Sequence, residues 1–198
     1  MNPFQARAKQ PASAFAGPYG HPFHPMLVPI PIGAWTALLF LDIASRNADD
    51  GAGYTDAGTV VLAVGLVGAV LAAIFGFLDY GQIQRGTKAA RVATVHMAGN
   101  LLAIGLFGAS FLARLGAAQD RVPMGLVVVT LVGLGILAFT GFLGGHLAYR
   151  YGVRVADEHT QAPAFDSTDG TVPPAARDAG RVDWLPGTNV PADEHAER

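Results

Sequence analysis

Ala57-Gly58-Thr59-Val60-Val61-Leu62-Ala63-Val64-Gly65-Leu66-Val67-Gly68-Ala69-Val70-Leu71-Ala72-Ala73-Ile74-Phe75-Gly76-Phe77-Leu78-Asp79-Tyr80 carries no charge before Asp79. A helix needs about 20 such residues to cross the hydrocarbon core of a bilayer. The run is far longer than a strand and does not alternate, so a helix is the natural reading. In lipid, a helix also satisfies its own backbone groups. Gly58, Gly65, Ala72 and Asp79 recur every seven residues. They form a small-residue seam, ending in a carboxylate, that would let another helix approach closely.

Three similar runs accompany it, at Met26–Ala44, Val92–Leu112 and Met124–Leu147. The connections between them are short and polar, which makes successive helices antiparallel neighbours. The expected fold is an all-α membrane protein, an antiparallel bundle of four transmembrane helices over residues 20–155. No repeat is evident beyond the four spans themselves. Residues 1–19 hold Arg7 and Lys9 without a following signal-type apolar core, and read as a mobile leader. From Ala156 to Arg198 the chain turns polar, with the composition of a disordered tail. Asp183-Trp184-Leu185-Pro186 is the tail's one conspicuous apolar patch.

Composition agrees with a membrane protein. Charged residues are 14% and hydrophobic residues 51% of the chain, and mean hydropathy is +0.35. Soluble domains carry about 25% charged residues. A net charge of -2 with no basic stripe argues against nucleic-acid binding. Cysteine is absent, which removes disulfides, thiolate-held iron–sulfur clusters and a cysteine nucleophile. No nucleophile elbow, phosphate loop or His-Glu-x-x-His occurs, so no catalytic residue is assigned.

Cationic residues set the orientation. Arg7, Lys9, Arg85, Lys88, Arg91, Arg150 and Arg154 outnumber Arg46, Arg114 and Arg121 on the opposite side. Both termini are therefore expected in the cytoplasm. That topology gathers His21, His24, Asp79, His96 and His146 near the cytoplasmic face. Asp42, two turns along from Trp35 on the same face, sits alone at the other end. His96 and Asn100, four apart, share a face. Ionisable groups at membrane depth are costly and point to function. The prolines at 22, 25, 29 and 31 break or stiffen the start of the first helix.

Several of these features occur together in a known family. His21-Pro22-Phe23-His24-Pro25-Met26-Leu27-Val28, Pro31-Ile32-Gly33, Leu78-Asp79-Tyr80, His96 with Asn100, and Gly144-Gly145-His146-Leu147 with Tyr149-Arg150 resemble the bacterial membrane family known as domain of unknown function 2231. The resemblance covers about Gly20 to Val155. The family name implies no established activity. Some relatives carry a Rieske domain after the bundle, which implies membrane electron transfer; this cysteine-free tail cannot hold such a cluster, so an iron–sulfur partner would be a separate protein.

Three functional readings follow. The first is a redox module with haem b held between helices by His96 and His146, ahead of His24, with Asp79 orienting one imidazole. The second is a transition-metal site built from His21, His24 and Asp79. The third is a non-catalytic membrane subunit whose His/Asp layer is structural. The lipid bilayer is the expected partner of all three, and the glycine-rich faces offer a route to oligomers.

Overall fold

The computed structural model describes residues 2–115 and 120–165. The expected tail patch at 183–186 lies outside the described residues. Residues up to Asp157 form one compact unit. In the second unit the described residues form a short helix, Glu158–Gln161, and a 3-10 turn, Ala162–Phe165.

Helix α1 spans Pro3–Lys9, α2 Phe23–Leu27, α3 Pro29–Asn47, α4 Ala52–Tyr80, α5 Lys88–Leu115 and α6 Met124–Gly145. Together α2 and α3 make a span of 25 residues, α4 and α5 have 29 and 28, and α6 with its last turn has 27. At about 1.5 Å per residue each exceeds the roughly 30 Å hydrocarbon thickness. All four are long and apolar enough to cross a membrane. Helices α4 and α5 begin several residues before the apolar runs do. Polar residues such as Thr55 and Lys88 extend a helix beyond lipid without interrupting its backbone ladder.

The break between α2 and α3 falls at Val28. Pro29 and Pro31 have no N–H to offer the carbonyls one turn back. The N–H groups of Val28 and Ile32 continue the ladder at 3.2 and 3.4 Å. At the other end of the chain α6 winds wider over His146–Arg150, where Tyr151 N–H donates to the His146 carbonyl at 3.2 Å. Such π-type turns are uncommon in helices.

Adjacent pairs in the bundle are α3–α4, α4–α5, α5–α6 and α6–α3. Consequently α3 and α5 run parallel on one diagonal, with α4 and α6 on the other. Trp35, Leu38, Leu62 and Phe107 fill the centre. Outward faces remain apolar: Phe40, Val60, Val67 and Phe142 are each more than 60% exposed. Such a continuous apolar exterior is suited to lipid, not water. The interior, by contrast, contains Asp42, Ser45, Ser110, Arg114, Thr130 and Thr140, all buried.

The leader differs from the mobile segment expected. Lys9 is buried and its Nζ donates to the Val155 carbonyl at 3.1 Å. Arg154 N–H donates to the Ala8 carbonyl at 3.0 Å. The guanidinium of Arg154 donates to the Ala16 and Gly17 carbonyls at 3.0 and 3.1 Å. These partners lie far away in sequence, which is why composition alone suggested a free leader.

Candidate functional site

Three pairs of residues meet across the α3–α5 diagonal. His24, just before α3, faces His96 of α5 with ring centroids 6.1 Å apart and planes at 86°. Trp35 stacks on Phe107 at 3.9 Å and 18°. Asp42 Oδ2 accepts from Arg114 Nη2 at 2.9 Å. Members of each pair are separated by the same interval, 72 residues for Asp42 and Arg114. Eleven and seven residues are close to three and two helical turns, so the layers stack on one face.

The other diagonal repeats the pattern. His24 Nδ1 lies 2.7 Å from the Ala72 carbonyl, and His96 Nδ1 lies 2.8 Å from the Thr140 carbonyl. A Cβ on Gly76 would come within 2.9 Å of His24 Nδ1, and one on Gly144 within 3.0 Å of His96 Cε1. Gly65 makes room for Trp35, and Gly133 makes room for Phe107. Ala72 and Thr140, Gly76 and Gly144, and Gly65 and Gly133 are again offset by one constant interval. The bundle is thus two similar helical hairpins related by a pseudo-twofold. This repeat was invisible in sequence because only the His and Gly members are identical.

Each imidazole spends Nδ1 on a backbone carbonyl of the helix beside it. As neutral rings they are Nδ1–H donors, which leaves Nε2 as the lone-pair nitrogen. Asn100 Nδ2 approaches His96 Nε2 at 3.1 Å and the His96 carbonyl at 2.9 Å. Thr140 Oγ1 donates to Asn100 Oδ1 at 2.9 Å. Thr140 contributes both a hydroxyl and a carbonyl to this cluster. Nothing in an apolar run singled it out.

The expected layer of His21, His24, Asp79, His96 and His146 is not assembled as a unit. Asp79 is turned to Arg154, whose Nε lies 2.8 Å from Oδ1. The partner it meets is thus Arg154, where an imidazole was expected. His146 packs on Tyr151 at 4.7 Å and Phe142 at 6.4 Å. It is two residues past Gly144, about 200° around the helix, so it points away from His96. The ring facing His96 is that of His24, not that of His146 as expected. His21 Nδ1 lies 3.4 Å from the Tyr19 carbonyl. Among the described residues no group of three or more His, Cys, Asp or Glu is placed to hold a metal ion, so His21, His24 and Asp79 do not form the metal triad expected. Asp42 is not alone either. Arg114, two residues past the expected end of the third run at Leu112, lies in the last turn of α5 and pairs with it.

A groove of about 360 Å³ opens between α5 and α6, lined by residues including Lys88, Arg91, Phe139 and Tyr151. Neither His24 nor His96 lines it.

No curated protein and no solved structure matches the chain. Residues 20–157, the four spans with His21, His24, His96, His146 and Arg154, match one family, described as predicted membrane protein. On that match over most of its length, the chain belongs to the DUF2231 family of predicted membrane proteins.

Proposed function

We propose that this membrane protein is an electron-transfer module holding haem b between His24 and His96. The observation that carries this reading is the paired placement of the two rings. They face each other at 6.1 Å from diagonal helices, each held by a carbonyl at Nδ1. Haem in helical bundles is ligated by histidines on facing helices. A hydrogen bond from Nδ1–H to a carbonyl fixes the ring and raises the basicity of the ligating nitrogen. Two imidazoles with no third side-chain ligand among the described residues suit a porphyrin, which brings its own four nitrogens, better than a bare ion. Gly76 and Gly144 let each ring lie close against the neighbouring helix, where a Cβ would crowd it.

Haem bound there supplies one-electron chemistry. The residues of the chain do the rest. His24 and His96 would hold the iron, the Ala72 and Thr140 carbonyls fix the two rings, and the stacked Trp35–Phe107 layer closes the bundle beneath them. Asn100 would release His96 Nε2 and keep the His96 carbonyl that it already reaches at 2.9 Å. Electron exchange then requires a separate carrier at the histidine-bearing end.

That end is assigned to the cytoplasm, in the inner membrane of a bacterium. Supporting this, Arg85, Lys88, Arg91 and Arg150 cluster near it, whereas Arg114 is buried in its ion pair and drops out of the opposing tally.

The second reading, a non-catalytic subunit with a structural polar clamp, is favoured by one contact: Asn100 already engages His96 Nε2. Absorbance of the detergent-purified chain, produced with ample haem precursor, separates the two. The redox reading expects a Soret band lost in His24→Ala and in His96→Ala but kept in His146→Ala. A colourless protein that stays colourless after haem supplementation overturns it and leaves the clamp.

A further inference from the structure

The far end of the bundle carries a second polar cluster with no assigned role. Asp42 Oδ2 accepts from Arg114 Nη2 at 2.9 Å and from Thr130 Oγ1 at 3.0 Å. Arg114 Nε donates to Ser110 Oγ at 3.4 Å. Both charged side chains are about 1% exposed. The remaining atoms, Asp42 Oδ1 and Arg114 Nη1, have no hydrogen-bond partner among the described residues. Both lie 3.7 Å from where a Cβ on Gly58 would stand, and Leu38 Cδ1 lies 3.3 Å from the same point. The unpaired acceptor and the unpaired donor thus converge on the side of Gly58 where another residue would carry its Cβ.

The chemistry of that space restricts its occupant. A halide would meet the Asp42 carboxylate, and a metal cation would meet the Arg114 guanidinium. An occupant must accept from Nη1 and donate to Oδ1 together. Its size is bounded by a space that a single methyl would take. Water meets both conditions, and buried waters typically bridge polar groups left over by the fold. An unmade hydrogen bond on a buried charged group is costly, more so in the low dielectric of a membrane interior.

We propose that the space between Gly58, Asp42 and Arg114 is a binding site for one structural water, which completes the ion pair joining α3 to α5. The water donates to Asp42 Oδ1 and accepts from Arg114 Nη1. Gly58 serves at this position by the volume it leaves free, not by backbone freedom.

Gly58→Ala tests this directly. Alanine is the better helix former, so a merely empty gap predicts a higher Tm for the variant. Displacing a bridging water predicts a Tm lower by about 2–4 °C. A rise in Tm overturns the proposal. The same substitution is then made in an Asp42→Leu/Arg114→Leu background, where no polar pair remains to be bridged. There the proposal expects the loss to disappear; an equal loss in both backgrounds marks a steric clash with Leu38 and overturns it. Should the double variant fail to fold, an experimental structure of the wild-type protein decides. Density within hydrogen-bonding distance of both Asp42 Oδ1 and Arg114 Nη1 supports the site. Its absence in a map showing other buried waters overturns it.

Discussion

Trp35 and Phe107 stack at the middle of the bundle with ring centroids 3.9 Å apart, and each ring lies against a glycine of a neighbouring helix. The pair separates a histidine layer on one side from an ion-pair layer on the other. Rings this large approach one another only because Gly65 and Gly133 carry no side chain.

Enlarging either glycine should therefore destabilise the whole bundle. A Cβ on Gly133 would fall 2.7 Å from Phe107 ring carbons, and one on Gly65 would clash with the Trp35 indole. Overpacking a filled core costs about 1–3 kcal/mol. Thermal unfolding in detergent of Gly65→Ala and Gly133→Ala should show losses in that range. Gly105→Ala, whose Cβ meets nothing within 4 Å, should show none.

The Asp42–Arg114 pair should behave as a unit. Removing Asp42 alone strands a buried guanidinium, at a cost of about 3–5 kcal/mol. Asp42→Leu/Arg114→Leu should be less destabilised than the sum of the single variants. A double-mutant cycle by equilibrium unfolding measures the coupling. Simple additivity would mean that the two charges do not depend on each other.

Around His96 the expected effects divide by function. Thr140→Val deletes the hydroxyl that donates to Asn100 and should cost about 1 kcal/mol. Its backbone carbonyl survives, so His96 Nδ1 keeps its partner. Under the haem reading this variant unfolds earlier yet retains its Soret band, and Asn100→Leu retains it as well. Loss of the band in a folded Asn100→Leu protein would assign Asn100 to the cofactor site itself.

Arg154 has φ of +60°, a conformation that non-glycine residues rarely adopt. Its side chain and N–H together hold Asp79, Ala8, Ala16 and Gly17. Replacing it with Gln should release the N-terminal segment and expose Lys9 to trypsin. Loss of charged hydrogen bonds worth about 1.5–3 kcal/mol should speed cleavage after Lys9 by about tenfold or more. Timed proteolysis followed by mass spectrometry measures it. An unchanged rate would show that Lys9 and its carbonyl partners suffice to hold the segment.

The apolar runs by themselves determined that this chain makes four long helices, since length, absence of charge and the needs of a backbone in lipid leave no other structure. They also determined that the seam glycines of α4 lie on a contact face: Gly58 meets Leu38 and Gly65 meets Trp35, both of α3. Depth was legible too, because helix rise converts residue number into height. Which residues at one depth touch was not legible. Rotation about each helix axis and the choice of diagonal partners are set by packing among four helices at once. Tertiary structure alone therefore turned His146 outward, gave Asp79 to Arg154, joined Asp42 to Arg114, and brought His24 across the bundle to His96.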